Sequence, residues 1–553
     1  MPNKQNNKFL NALIRKTSLS FAFYGIFCLM TVTSAQNYTR LGIPNSSVFP
    51  SSVTQTEVVA TTHPYFSDLI FLSANAISFA PQFFVSEGIY VSTDGGTTFS
   101  GTDTCSGGPS IAFHGGDPGV AIDKDGNFVI TRNGKIPLYG LYSHRSTDKG
   151  RTWSNAKAIT NVELERAWLA SDQRLISPHY GRIYAVWVRY SPPYPLVFSY
   201  TDDGGLNWSA VTQINSPTDR NYGGGIVVDF IGNIYTVWAA VTSTSPFTEK
   251  YTGFAKSTNG GNTWNVTENA FVTNGIQGVL PTKQNIRVNS NPQLAMDYID
   301  GMSTPWLYVI TTQKNTSVAG SDPDIIFNRS TDAGVTWSEG IRVNQDPLNN
   351  GKIQFFPAMT VDIYGGINVI YYDDRATTSD SAGVFLARSL DHGNTWTEYE
   401  ISDRNFKPTP IGGLGQGYQG DNISIVSDNN FLHPFWMDNR SGIYQIQTVK
   451  IPLSTVGVSD KSPIAPADYK MGNATPNPFN PQTSFTLDIP ALSDVQISLF
   501  DSRGTLVNTI FKGTKDSGVH HFTINGSNLS SGVYFVTAQM GTKRLTQKII
   551  LLK

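Results

Sequence analysis

Three observations predict an all-β chain, a β-propeller followed by a small C-terminal β-sandwich. An eight-residue turn motif returns six times at blade-sized intervals. A pair of apolar runs around an Asp/Gly turn accompanies the motif in each unit. Past residue 471 the pattern changes to short alternating strands. Composition agrees, because Val/Ile/Tyr-rich runs are punctuated throughout by the 50 glycines and by Asn and Asp. Charged residues are only 15% and the formal net charge is −2, so there is neither the basic surplus of a nucleic-acid partner nor an acidic solvating tail.

The N-terminus reads as a signal peptide over residues 1–35. Lys4, Lys8, Arg15 and Lys16 precede the apolar stretch "SLSFAFYGIFCLMTVTSA", and Thr33 and Ala35 form a small-residue cleavage site. The run is shorter than the roughly 20 apolar residues of a membrane span, and no later segment of the mature chain could span a bilayer. Cys28 lies in the signal, which leaves Cys105 without a second cysteine for a disulfide in the mature chain and core burial as the source of stability.

The motif reads STDGGTTF from Ser92, STDKGRTW from Ser146, TDDGGLNW from Thr201, STNGGNTW from Ser257, STDAGVTW from Ser330 and SLDHGNTW from Ser389. Its third position advances by 54, 55, 56, 73 and 59 residues. With the paired apolar runs, each unit has four strands, and repetition of such units is the signature of a propeller. Seven units are counted over 36–453; six remain if the first or last is not a full blade. The segment 40–49 is a candidate to complete the seventh. Within the motif the Asp side chain is expected to accept backbone N–H bonds two residues on and the Gly to take a positive φ. The aromatic at the eighth position is expected to face the next blade. Asn259 replaces Asp in the fourth copy; an amide still accepts that bond but cannot act as a base. The aspartates therefore fold corners and do not catalyse.

These motifs resemble the Asp-boxes (BNR repeats) of sialidase-like propellers over residues 56–452. The box occurs in enzymes and in non-enzymatic propellers alike, so it implies fold and not activity. Strands alternate in direction, so the boxes mark one face. The loops between strands two and three, and between blades, open on the other, where sialidase-like propellers carry their site. The box-free face should hold Arg132, Arg189, "DDRATTSD" (373–380), "DNRSG" (438–442), "VELERAW" (162–168), "DRNYGGG" (219–225) and "GGLGQGYQGD" (412–421). Asp373, Arg375, Asp438 and Arg440 are the candidate ligand-binding residues for an acidic or polyhydroxylated ligand. The alternative is that each Asp-x-Arg is a local salt bridge fixing its loop.

Sialidases hold a substrate carboxylate with three arginines and use a Tyr–Glu pair and an Asp. That resemblance implies Arg166, Arg375 and Arg440 as a triad, with Glu165 beside Tyr222 or Tyr418. The Phe/Tyr-Arg-Ile-Pro motif of the family has only "LGIP" (41–44) as counterpart, with Gly42 in the arginine position, which counts against a working sialidase. "DKDGN" (123–127) begins like a calcium loop but has Gly134 at its twelfth position, so it reads as a turn. No metal or cofactor is expected.

Residues 454–471 are rich in Ser, Pro and Ala and read as a linker. In 472–553, "PNPFNP", "LFDSRG", "SGVYFV" and the basic–apolar end resemble the type A C-terminal sorting domain of the type IX secretion system. This implies the secretion machinery as a partner and export across the outer membrane, to a secreted or cell-surface location. Two functions follow for the propeller. One is non-catalytic binding of a glycan or surface protein; the other is sialidase-like exo-glycosidase action on acidic glycans.

Overall fold

The computed structural model describes residues 38–63, 66–105, 113–174, 177–297, 304–457, 469–489, 493–515, 518–540 and 543–553. The signal peptide and most of the linker lie outside them.

Among the described residues, seven sheets of at least four strands follow one another as blades. Blade one is Thr54–His63, Phe66–Ser78, Phe84–Ser92 and Ser100–Thr102; blade two is His114–Ile122, Phe128–Gly134, Gly140–Ser146 and Lys157–Thr160. Blade three is Trp168–Ser171, Ile183–Val188, Leu196–Thr201 and Thr212–Gln213; blade four is Arg220–Val228, Ile234–Val241, Glu249–Ser257 and Asn265–Val272. Blade five is Gln293–Asp297, Trp306–Gln313, Asp324–Ser330 and Ile341–Arg342; blade six is Gln354–Val361, Ile367–Asp373, Gly383–Ser389 and Thr397–Glu400. Blade seven contributes Ser424–Ser427, Phe431–Asp438 and Gln445–Thr448. Each first strand packs against the first strand of the next blade, and the seventh packs against the first, so the ring is closed. Val120, Leu169, Ile226, Leu294, Met359 and Ile425 line the axial channel.

Burial follows position within a blade. Second strands are covered on both faces, and Ile183–Val188 and Ile367–Asp373 are buried at every residue. Fourth strands form the rim, and Ser100–Thr102 is exposed throughout. The head of the chain completes the last two blades. Ser46–Ser47 pairs antiparallel with Gln445–Thr448 as the fourth strand of blade seven, and Tyr38–Arg40 adds a parallel fifth strand to blade six. Arg40 donates to both carboxylate oxygens of Glu400, at 2.7 and 2.8 Å. Asn45 and Asp403 exchange backbone-to-side-chain bonds at 3.2 and 2.7 Å.

Every box is a corner between strands three and four. At Ser146 the hydroxyl donates to Asp148 and accepts the Gly150 N–H; Asp148 then accepts the Thr152 N–H at 2.9 Å and its hydroxyl at 2.6 Å. The carboxyl thus bonds mainly four residues on rather than two, because two successive residues are left-handed, Lys149 (φ 60) and Gly150 (φ 82). The Thr152 hydroxyl and N–H, with the Ser146 hydroxyl, hold the Asp148 carboxyl down at about 2. Asn259 accepts the equivalent N–H from Thr263 at 2.9 Å. The double left-handed step folds the corner back, so the box aromatic meets the preceding blade and not the next. Trp264 lies 5.2 Å from Phe198, Trp337 5.6 Å from Phe254 and Trp396 5.4 Å from Phe327, each one blade earlier. Phe99 of blade one lies 5.8 Å from Phe435 of blade seven, across the seam.

The C-terminal unit has two facing sheets. One holds Lys470–Met471, Gln482–Ile489 and Gly518–Asn525; the other holds Leu506–Lys515, Ser493–Asp501, Gly532–Met540 and Lys543–Leu551. Strict alternation in Gln482–Ile489 buries Phe485, Leu487 and Ile489 against Ile497, Val536 and Ile549. Within "PNPFNP", Phe479 is buried in this core, and Asn477 accepts the Ile550 N–H at 2.8 Å.

The glycine at the fifth position of the box at Ser330 is constrained twice. At Gly334 φ is +90°, and an added Cβ would stand 2.1 Å from the Phe254 ring. Gly334→Ala is expected to destabilise the propeller by about 2–4 kcal/mol, whereas Ala333→Gly, at a left-handed residue (φ 58), is tolerated; thermal unfolding of the two variants checks this. Deleting residues 38–47 leaves the outer edge of blade seven unpaired and is expected to lower the melting temperature and make the propeller protease-sensitive within blades six and seven.

Candidate functional site

The first strands of the blades begin at the box-free mouth. In blades one, two, four and six a β-bulge interrupts the first strand near its start. The bulges put Glu57 (φ 57), Asp117 (φ 56), Gly223 (φ 60) and Phe356 (φ 51) in the left-handed region. That conformation costs a non-glycine residue about 1–2 kcal/mol, and two of the residues held in it, Glu57 and Asp117, face the mouth.

They line a cavity of about 820 Å³, within the range of small-molecule sites. Its other charged walls are Glu165, Asp421, Lys135, Arg166, Arg220 and Arg287; its aromatic walls include Trp168, Tyr190, Tyr222 and Tyr418. Arg166 donates to Glu57 at 2.5 Å and lies 3.7 Å from Asp117. Arg287 donates to Asp421 at 3.0 Å and stacks over Tyr418 at 5.1 Å. The Tyr418 hydroxyl meets the Thr56 hydroxyl and the Asn75 amide, both at 3.0 Å. Burial, reinforced by Asp421, raises the Glu57 carboxyl well above the ordinary range despite Arg166.

Two features set the cavity apart. The Tyr190 hydroxyl donates to Glu165. Burial and the neighbouring Asp117 push Glu165 up to about 7, against the lowering effect of that bond. Arg220 sits among three rings, 5.3 Å from Tyr190, 4.7 Å from Tyr194 and 4.8 Å from Phe247. Among the described residues no carboxylate pairs with Arg220, and its buried Nε has no hydrogen-bond partner.

Arg287 arrives on an inserted hairpin, Gly278–Leu280 with Ile286–Val288, between blades four and five. The hairpin is fastened to the far side of the mouth. Lys283, fully buried, donates to the equally buried Asp374 at 2.5 Å and to the Ser379 carbonyl. The Arg287 N–H donates to the Gly417 carbonyl at 2.7 Å, and Asn289 donates to Asp421 at 2.9 Å.

Of the residues singled out from sequence, Arg166, Glu165, Tyr222 and Tyr418 line the cavity, whereas Asp373, Arg375, Asp438 and Arg440 do not. Asp373 accepts the Arg375 N–H and Nε, both at 2.7 Å, and Arg375 reaches Glu398 on the fourth strand of blade six at 2.6 Å. Arg440 likewise binds Asp438 at 2.9 Å and Asp403 at 2.7 Å. Both Asp-x-Arg motifs are therefore the loop-fixing salt bridges of the alternative reading, and the triad of Arg166, Arg375 and Arg440 is not assembled. Glu165 hydrogen-bonds Tyr190 rather than Tyr222 or Tyr418. Arg132 is buried between blades one and two, 3.0 Å from His144 and 3.8 Å from Glu87. Arg189 donates to Gln213 at 3.2 Å. Asp123 accepts the Asp125 and Asn127 N–H groups, which makes "DKDGN" a turn. Sequence reasoning placed Arg220 at this face only as part of segment 219–225, without giving it a role, and missed Arg287 and Tyr190. The signal for Arg287 was the 73-residue interval between the fourth and fifth boxes.

Residues 473–552 match the family described as the Secretion system C-terminal sorting domain. The chain is an exported protein, sorted by type IX secretion to the cell surface or the medium. No curated protein matches the chain. Among solved structures it is similar to an ulvan lyase of a new polysaccharide lyase family, at 11% identity over 74% of this chain and 96% of that one, with a TM-score of 0.44. A leech intramolecular trans-sialidase matches at 13% identity over 65% of this chain and 70% of that one, TM-score 0.40. The six-bladed Aleuria aurantia lectin matches at 11% identity over 66% and 100%, TM-score 0.37.

The hairpin clamp is testable. Lys283→Met strands a buried carboxylate and is expected to cost about 3–5 kcal/mol, while Lys283→Met with Asp374→Leu recovers most of that loss; urea unfolding of both variants checks it.

Proposed function

We propose that the box-free mouth recognises an anionic saccharide, with the acidic group of the sugar on Arg220. The carrying observation is the uncompensated Arg220 in its cage of Tyr190, Tyr194 and Phe247. Arg166 and Arg287 already serve Glu57 and Asp421, so Arg220 and Lys135 are the cavity cations left to meet a ligand anion. A guanidinium fits a carboxylate or sulfate bidentately, and the aromatic walls suit the apolar faces of a sugar ring. In this reading the protein is an exported glycan-binding propeller.

A second reading, sialidase-like hydrolysis of acidic glycans, is favoured by the Tyr190–Glu165 contact. A carboxyl with a pKa near 7, hydrogen-bonded to a phenol, has the form of a nucleophile and its base. The two readings differ in the sign of their pH dependence. Glu165, beside Asp117, Asp421, Arg166 and Tyr190, is neutral below about pH 7 and adds negative charge above it. Binding of an anionic sugar therefore weakens as pH rises through 7, whereas activation of Tyr190 by ionised Glu165 makes turnover rise over the same interval.

Calorimetric titration with sialylated, uronate and sulfated oligosaccharides, paired with release of a fluorogenic sialoside, is the test. For the binder, affinity is expected to fall tenfold or more in Arg220→Met, with no sugar released and the pH dependence flattened in Glu165→Gln. Turnover lost in Tyr190→Phe decides for the enzyme. No binding and no turnover with any anionic glycan overturns both.

A further inference from the structure

At and beyond the rim of the cavity, the hairpins between strands two and three of blades one and two carry large exposed apolar side chains. Phe79 is 45% exposed, Phe83 48%, Ile136 64% and Tyr139 39%. Nothing in the core needs them there, and each is costly to leave in water. They continue the cavity wall. Phe83 and Lys135 both line the mouth, and the Lys135 ammonium stands 5.4 Å from the Phe83 ring. Phe79 lies 5.7 Å from Phe83. It also abuts the rim at Gly413, where an added Cβ would stand 3.3 Å from its ring. Ile136 and Tyr139 follow Lys135 in the same hairpin.

We infer that this strip is a set of outer subsites for the continuation of an anionic polysaccharide, so that the ligand is a chain and not a single terminal sugar. The inference rests on the saccharide reading of the mouth and extends it. Ring faces suit the C–H faces of successive sugars. Lys135, exposed and without a carboxylate partner among the described residues, matches an acidic group repeated along the chain. Continuity decides the occupant, since a sugar chain leaving the cavity past Phe83 runs onto Phe79 on one side or onto Lys135 and Tyr139 on the other.

The experiment is calorimetric titration of the full mature chain with oligogalacturonates and carrageenan oligomers of two, four and six residues. Affinity is expected to rise at least tenfold from the shortest to the longest member of a series. In Phe79→Ala/Tyr139→Ala, which alters only exposed side chains, that gain is expected to disappear while the shortest oligomer binds within twofold of the native protein. A length dependence that persists in the variant, or one absent from the native protein although the shortest oligomer binds, overturns the outer subsites and leaves the mouth reading standing. Absence of binding at every length in both series overturns both.

Discussion

The seating of each box on the blade before it is the contact from which the rest of the propeller follows. Two consecutive left-handed residues turn the corner, the second always glycine, and the aromatic that follows lands on an apolar side chain of the preceding blade. The contact is directional, so it orders the blades, fixes their spacing and commits all six corners to one side of the ring. Gly261, Gly334 and Gly393 each lack room for a Cβ because Phe198, Phe254 and Phe327 occupy it. Positive φ alone admits Lys149, Ala333 or His392 at the first corner position; close approach is what restricts the second.

With corners and first turns committed to one side, the opposite mouth is free to vary. It is assembled from connections between blades and from bulged strand starts, which aim Glu57 and Asp117 at the cavity at a cost in backbone strain. Two guanidinium groups there are paired with carboxylates, Arg166 with Glu57 and Asp117 and Arg287 with Asp421. Arg220, held by rings instead of a carboxylate, departs from that pairing, as Lys135 does, and in the proposed reading it is the group that takes an external anion.

The fold was legible in sequence because a corner that must satisfy both φ and contact leaves the same letters in every blade. The direction of packing was not, since the letters carry no sign. The inter-blade loops gave Glu165, Arg166, Tyr222 and Tyr418 their place at the mouth by topology alone. Asp373, Arg375, Asp438 and Arg440 pointed to the mouth only while their partners were unknown. Glu398 on the fourth strand of blade six and Asp403 in the loop after it, each more than twenty residues away in sequence, take the guanidinium groups. Arg287 was hidden for the opposite reason, because its hairpin belongs to no repeat and is anchored by Lys283, whose buried partner, Asp374, lies in another blade.

The seam between the first and last strands of the ring has a consequence for the life of the chain. Ser47 bonds Gln447 across 400 residues of sequence, so no sealed ring exists until the final blade has been made and the leading segment has come back to it. Loop closure over that distance is the slowest kind of contact to form. Closure of the ring is therefore tied to the return of residues 46–47 to the strand at 445–448, the two ends of the propeller latching each other.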